Sequence, residues 1–363
     1  MLDRKRYFRQ ILAFVFAVSS FVVLIGGTSR AGMIGAVVVS GLFCLLFRKQ
    51  LLEKYRFSIA LVLVLSVVFV IMNTISDSFV TNKIKDAVTE KKLDKYVKNI
   101  SLHDNTFVFE TTTEKLTIKF KDNEYFFIDT DMKQLNLYPS DNESLYIFKD
   151  PRYESYKIEE RTDFIVLHWT DKYIILTDKE NALFILDPRG RTHAKIDKPE
   201  TFGFKGRELF ASSRGYIWSR SIPMLKKTLL LGHGPDTYCI YYPQMELDAK
   251  INFLFSAYMI VDKPHNWYLQ LAINTGIPSL VAMILFLAWY MLKSFKTYVK
   301  ELKSSEDKAG AAILTGVTGY LVVSIFNDSV VHVAPIFWIL LGLGIALVYN
   351  KNNKQAKAHF DLS

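Results

Sequence analysis

The sequence predicts an α-helical integral membrane protein of about six transmembrane helices with an inserted extracytoplasmic all-β module. Three observations predict it. Half of the 363 residues are hydrophobic, and they concentrate in residues 10–78 and 266–349. The polar stretch between them breaks into short alternating runs. The lysines and arginines gather in alternate loops between the apolar segments.

A bilayer core about 30 Å thick needs roughly 20 mostly apolar residues per helix. Residues 10–27, 33–47 and 57–75 supply three candidate spans before the polar middle, and residues 267–292, 309–326 and 333–349 supply three after it. Buried helices of soluble cores usually offer runs of about 10–14 residues. Six runs bounded by charge clusters do not fit such a core. The basic start and apolar body of the first segment also suit a signal peptide. No small-residue cleavage site is clear, however, and another apolar segment follows at once. The two cysteines, Cys44 and Cys239, fall in a membrane segment and in the polar part, so no disulfide is expected, and no Cys/His spacing of the zinc type occurs.

The net charge of +9 would suit nucleic acid, but its placement argues for topology instead. Arg4, Lys5, Arg6 and Arg9 open the chain. Arg48, Lys49, Lys54 and Arg56 follow the second span, and Lys293, Lys296, Lys300, Lys303 and Lys308 follow the fourth. Lys351, Lys354 and Lys357 close the chain. Short loops this rich in cations stay cytoplasmic. The other short loops are poor in them: residues 28–32 hold only Arg30 and residues 327–332 hold none. Both termini are then inside, the spans alternate, and the region from about 79 to 264 lies outside.

Six regions follow. Residues 1–78 hold three spans and residues 79–103 a charged helical connector. Residues 104–200 are the β module, with runs such as Thr106–Thr112, Lys115–Phe120, Asp163–Trp169 and Asn181–Asp187 separated by turn residues. It holds no obvious catalytic cluster and reads as a recognition or structural insert. Residues 201–264 form a helical loop. In it a helix from Arg214 to Leu231 is expected, with Trp218, Ile222 and Leu225 on one face, ended by the Gly-His-Gly-Pro run at 232–235. Residues 245–261 are amphipathic and suit the outer interface. Residues 265–349 hold the last three spans and residues 350–363 a cytoplasmic tail.

Three features converge on the outer side. Arg30, in Thr-Ser-Arg-Ala-Gly at 28–32, sits in a break between two helices with Gly26, Gly27 and Gly32 around it. A helix start there favours an anion, although an interfacial arginine also snorkels for no other reason. Arg214, in Ser-Ser-Arg-Gly-Tyr-Ile-Trp at 212–218, lies near another expected helix start. His265, in Lys-Pro-His-Asn-Trp-Tyr-Leu at 263–269, lies at the mouth of the fourth span. Taken singly, each has a plain structural explanation. Together they suit a diphosphate, since arginine pairs with phosphate oxygens bidentately and a neutral histidine is a good general base.

At these residues the chain resembles the O-antigen ligase family, which includes related polysaccharide polymerases of bacterial envelopes. The likeness rests on Ser-Arg-Ala-Gly at 29–32, Ser-Arg-Gly-Tyr-Ile-Trp at 213–218, the following Gly-x-Gly-Pro-x-x-Tyr, His-Asn-Trp-Tyr-Leu at 265–269, and Thr-Gly-Ile-Pro at 275–278, in that order. The resemblance implies a metal-independent, inverting glycosyltransferase that uses no cofactor. It would move a glycan from undecaprenyl diphosphate to a hydroxyl of a glycan or lipid acceptor, at the outer face of a bacterial cytoplasmic membrane. By that likeness Arg30 and Arg214 hold the diphosphate, and His265 is the base or orients the acceptor. Arg220, Asn266, Tyr268, Asp328 and His332 are further candidate substrate-binding residues, with Arg220 able to replace Arg214. Membrane lipids are partners and nucleic acid is not.

Two departures from the family stand out. Its members usually carry more spans, so the chain reads as the later part of the fold, a truncated or inactive form. The β module is also larger than the simple outer loop expected, and acceptor selection is a role for it. The alternative is a non-enzymatic membrane-anchored binding or sensor protein that uses the outer β module. The lack of a cytoplasmic output domain counts against a sensor. A transporter would bury charges in its spans, and few occur.

Overall fold

The computed structural model describes residues 4–27, 29–75, 78, 81, 82, 96–140 and 144–360. In chain order the helices are α1 (Arg4–Gly26), α2 (Arg30–Leu46), α3 (Arg48–Glu53), α4 (Tyr55–Ile75), α5 (Phe210–Met224), α6 (Tyr238–Tyr241), α7 (Leu247–Leu254), α8 (Trp267–Thr275), α9 (Ile277–Tyr298), α10 (Ser305–Val323) and α11 (Ala334–Phe360). Among the described residues, twelve strands, β1 (Val97–His103) to β12 (Thr192–His193), lie between α4 and α5. The chain divides into two units. One is Met1–Glu90, Lys227–Pro235 and Lys263–Ser363; the other is Lys91–Lys226 and Asp236–Asp262.

The first unit is helical. Among the described residues, four helices are long and apolar enough to cross a membrane: Phe8–Gly26, Tyr55–Ile75, Ile277–Tyr298 and Ala334–Lys354. Their outward faces expose Phe16, Val62, Leu285 and Ile339, as lipid-facing side chains require. The two other expected spans are helices as well. However, α2 has only 17 residues, and α10 opens with Glu306, Asp307 and Lys308 and is not one of the four. The expected fourth span, residues 267–292, is broken. Gly276 sits at φ 98°, and Pro278 follows it at the start of α9. His265 is therefore separated from that span by the nine residues of α8.

α2 and α10 cross at two glycines. A Cβ on Gly35 would stand 2.5 Å from Val323 Cγ2, and one on Gly319 would stand 2.6 Å from Val39 Cγ2. Small residues allow apolar helices this approach. The contact order makes the pair antiparallel, so the start of α2 lies at the end of α10. At the opposite end the basic loops meet. Gln50 Nε2 donates to Leu302 O over 3.5 Å, and Lys49 reaches Glu301 at 3.9 Å. Lys351 pairs with Asp307 at 2.8 Å and Lys354 with Glu306 at 3.2 Å.

The second unit is built on two antiparallel sheets, one in the order β1-β2-β3-β4-β5 and one in the order β12-β11-β10-β9-β8-β7-β6. They share one core of residues such as Ile100, Phe107, Phe109, Ile118, Leu167, Leu176 and Ile185. Residues 97–103, expected at the end of a charged helical connector, are strand β1. A β-bulge between Val97 and Asn99 shifts the alternation by one residue, so that Val97, Ile100 and Leu102 all enter this core. Of that connector, residues 79, 80 and 83–95 lie outside the described residues.

The β module contains an internal repeat. Lys-x-Asn-x-x-Phe-x-x-Asp occurs at 121–129 and again at 179–187, an offset of 58 positions (121 to 179, 129 to 187). The same offset relates the left-handed turns Asp122–Asn123 and Glu180–Asn181, and Met132 and Gly190. Asp129 Oδ1 accepts the N–H groups of Asp131 and Lys133 at 2.8 Å, and Asp187 Oδ1 accepts those of Arg189 and Arg191 at 2.9 and 3.0 Å. β1–β5 and β8–β12 are thus two copies of one meander. The carboxylate closes the same turn in each copy by taking backbone donors that would otherwise lack partners.

Residues 245–261, expected along a membrane interface, instead hold α7 against the module. Leu247, Ile251 and Ala257 belong to its core, and Asn252 brackets Val97 with hydrogen bonds of 2.9 and 2.8 Å. The apolar stripe is real, but protein covers it. Lys250 is buried in this layer, with its Nζ donating to Gln244 O over 3.0 Å. Burial lowers its pKa to about 8, against the pull of Asp197 and Glu246. An unfolded lysine titrates near its ordinary 10.5, so between pH 8 and 10.5 the unfolded chain binds more protons and stability rises with pH. Melting of the full chain should therefore shift upward across that window, by on the order of 3 kcal/mol in total. Lys250→Met should be more stable near pH 7 and should lose the slope.

Candidate functional site

The first unit brings one constellation together. His265 Nδ1 lies 2.8 Å from Asp328 Oδ2. The Asp328 side chain is 8% exposed and the His265 side chain 41%, so the carboxylate is buried behind the ring. Among the described residues, Asp328 Oδ1 has no hydrogen-bond partner. An ionised Asp328 requires the proton on Nδ1, which leaves Nε2 as the basic nitrogen on the open side. This is the arrangement in which a carboxylate orients a histidine base.

The backbone around the pair explains how a loop holds it. His265 has φ 50°, a left-handed conformation costing a non-glycine residue about 1–3 kcal/mol. The residues after it secure that turn. Asn266 caps α8, its side chain accepting Leu269 N over 2.9 Å. Trp267 N donates to Ser324 O and Asn327 O at 2.9 and 3.0 Å, which ties the start of α8 to the end of α10. Tyr268 OH donates to Leu321 O over 2.9 Å. Asn266 and Tyr268, expected to bind substrate, thus use these polar atoms inside the protein to hold His265 in place.

Arg30 is the first residue of α2, behind the Ser29 cap that accepts Gly32 N over 3.1 Å. It precedes Gly35 by five residues, roughly 7 Å along the helix, while Asp328 follows Val323 by five. The antiparallel crossing therefore puts Arg30, His265 and Asp328 at one end of the α2–α10 pair, away from the basic loops. Arg30 is half-buried, and among the described residues it makes no hydrogen bond or ion pair. His332 is exposed in the turn before α11 and, among the described residues, makes no such contact either.

Two further motifs meet in this unit. A Cβ on Gly232 would lie 2.1 Å from the Asn274 carbonyl carbon, and one on Gly276 would lie 2.6 Å from Leu230 O. His233 N and Gly234 N donate to Ile273 O and Asn274 O, each at 2.9 Å. The Gly-x-Gly-Pro and Thr-Gly-Ile-Pro runs are thus the two sides of one backbone contact, and the glycines are there because the chains touch.

Arg214 and Arg220 lie in the second unit, on α5. Ala211, Ser212 and Ser213 are all left-handed there, and Arg214 Nη1 donates back to Ala211 O over 2.7 Å. The expected helix ran from Arg214 to Leu231; α5 instead ends at Met224, just after Pro223, and one 3₁₀ turn follows. Arg220 is buried. Its Nε and Nη2 hold both oxygens of Glu246 at 2.8 and 2.7 Å, Nη1 donates to Ser219 Oγ, and Tyr216 packs on the guanidinium. Burial works against its charge, but the Glu246 bonds outweigh it and raise the pKa. Arg220, expected as a possible replacement for Arg214, is thus paired with Glu246. Glu246 is the partner that sequence reading missed. It carries no motif, and 26 positions separate it from Arg220.

Residues 164–284 match the family model described as O-antigen ligase. That is one third of the chain. It contains Arg214, Arg220, His265, Asn266 and Tyr268, while Arg30, Asp328 and His332 lie outside it. The match begins within the second copy of the β repeat. It supports assigning the chain to the O-antigen ligase family. No curated protein matches the chain, and no solved structure matches it.

The two arginines of α5 should separate on substitution. Arg220→Ala leaves Glu246 buried without a counter-charge and should cost about 3–5 kcal/mol of stability. Arg214→Ala should cost about 1 kcal/mol. Thermal melts of the two purified variants check this; equal losses would contradict it.

Proposed function

We propose, on the premise of the O-antigen ligase match, that the chain transfers a glycan from undecaprenyl diphosphate to an acceptor hydroxyl, with His265 as the base. The observation that carries this reading is the buried Asp328 behind His265, at the end of the α2–α10 pair where Arg30 stands.

The chemistry follows from these groups. The acceptor oxygen attacks the anomeric carbon of the donor sugar as its proton passes to His265 Nε2. The bond from that carbon to the diphosphate oxygen breaks on the opposite face, so the sugar inverts. The leaving diphosphate takes the electron pair, and the Arg30 guanidinium at the α2 N-terminus faces the charge that develops on it. The Nδ1–H of the imidazolium then points at Asp328, which offsets its charge. The resemblance gives Arg214 a second diphosphate contact, and that role is proposed on the motif alone.

Orientation belongs to the same proposal. The basic ends of α2, α9, α10 and α11 face the cytoplasm by the positive-inside rule, and the Arg30–His265 end faces outward. The contacts of Lys49, Lys351 and Lys354 with Glu301, Asp307 and Glu306 support this, because they gather the cationic segments at one end.

In a reconstituted transfer assay with the lipid-linked donor, His265→Ala should lower turnover by about 10²–10⁴ while the protein still inserts. Asp328→Asn should lower kcat more than it raises KM, because it disturbs the base rather than the binding. Arg30→Lys should retain more activity than Arg30→Ala. Transfer that survives His265→Ala would remove the base assignment.

A further inference from the structure

We propose that Leu229, Leu230 and Leu231 form an apolar wedge seated in the bilayer at the start of α9, against lipid acyl chains. The inference does not depend on the transfer reading. These side chains are 60%, 78% and 81% exposed. Three consecutive leucines facing water would be an unusual loop, and the sequence places them in a stretch that reads as polar and outside the membrane.

The backbone gives their level. Ile277 N, in the first residue of α9, donates to Thr228 O over 3.1 Å. Leu230 O and Leu231 Cα lie within 2.6 and 3.2 Å of where a Cβ on Gly276 would be. His233 and Gly234 continue the contact along the end of α8. The leucines are thus level with the start of a helix that is long and apolar enough to span. Its own exposed apolar residues, Val281, Ile284 and Leu285, begin one turn further along. The wedge continues that lipid face.

Two more features fit lipid. The backbone on either side of the run is tied into the protein, as backbone near hydrocarbon requires: Thr228 O, His233 N and Gly234 N all have backbone partners. Lys227, exposed two residues before Leu229, supplies a cation at the height of the phosphate headgroups. The wedge also adjoins His233 and Gly234, so lipid contact would hold the Gly-x-Gly-Pro motif at a set depth.

The test uses the full chain in phosphatidylcholine–phosphatidylglycerol nanodiscs, with Cys44→Ser and Cys239→Ser as background. A nitroxide is attached at Leu230→Cys, at Leu285→Cys on α9, and at the exposed Met132→Cys of the β module. Collision with oxygen and with a water-soluble nickel chelate is then measured. The proposal expects Leu230 to resemble Leu285, with oxygen dominating, and Met132 to show the reverse. Leu231→Cys serves as a second site. A Leu230 label that meets nickel as freely as Met132 does would overturn the proposal. So would exclusion of both reagents with spin coupling between copies, since the leucines would then cover a second molecule.

Discussion

The hydrogen bond between His265 and Asp328 joins the start of α8 to the residues after α10, and most of the site's geometry depends on that junction. His265 alone is a strained loop residue. Asp328 alone is a buried carboxylate with nothing to offset it, an expensive arrangement in a low-dielectric setting. Each makes the other tenable. The hydrogen bonds of Trp267 N to Ser324 O and Asn327 O hold the two chain segments in register, so the ring and the carboxylate meet without relying on their own contact.

Glycine sets the rest of the first unit. Gly35 and Gly319 let α2 and α10 approach closely enough for the antiparallel pair to carry Arg30 to the His265 end. Gly232 and Gly276 let the 228–234 loop lie on the end of α8. In each case a methyl group would strike a neighbour. These four positions bring elements distant in the sequence together, and none bears a chemical group of its own.

Much of this was legible in the sequence, and the failures have identifiable causes. Apolar runs and loop charges located the helices, and period-2 alternation located the β module. The Arg30 and His265 motifs, far apart in sequence, fall at one end of the helical unit. Val97–His103 was read as the end of a charged helix because the charged run precedes it and a bulge after Val97 interrupts its alternation. The stripe at 245–261 was read as facing lipid because periodicity says that a face is covered, not by what. Arg220 looked available because its partner Glu246 is distant in sequence, and Asp328 looked marginal for the same reason. The 58-residue repeat was readable from Lys121, Asn123, Phe126 and Asp129, which recur at Lys179, Asn181, Phe184 and Asp187. Few other identities surround them, since core positions accept any residue of similar volume.

The proposed chemistry turns on one proton: the carboxylate of Asp328 should hold it on Nδ1 and leave Nε2 bare for an acceptor hydroxyl. Nitrogen-15 spectra of ring-labelled histidine in the full-length protein read this directly, with His265→Gln used to assign the signal by subtraction. The Nδ1–H tautomer is predicted, giving way to a mixture in Asp328→Ala. A proton on Nε2, or a spectrum indifferent to Asp328→Ala, would contradict it.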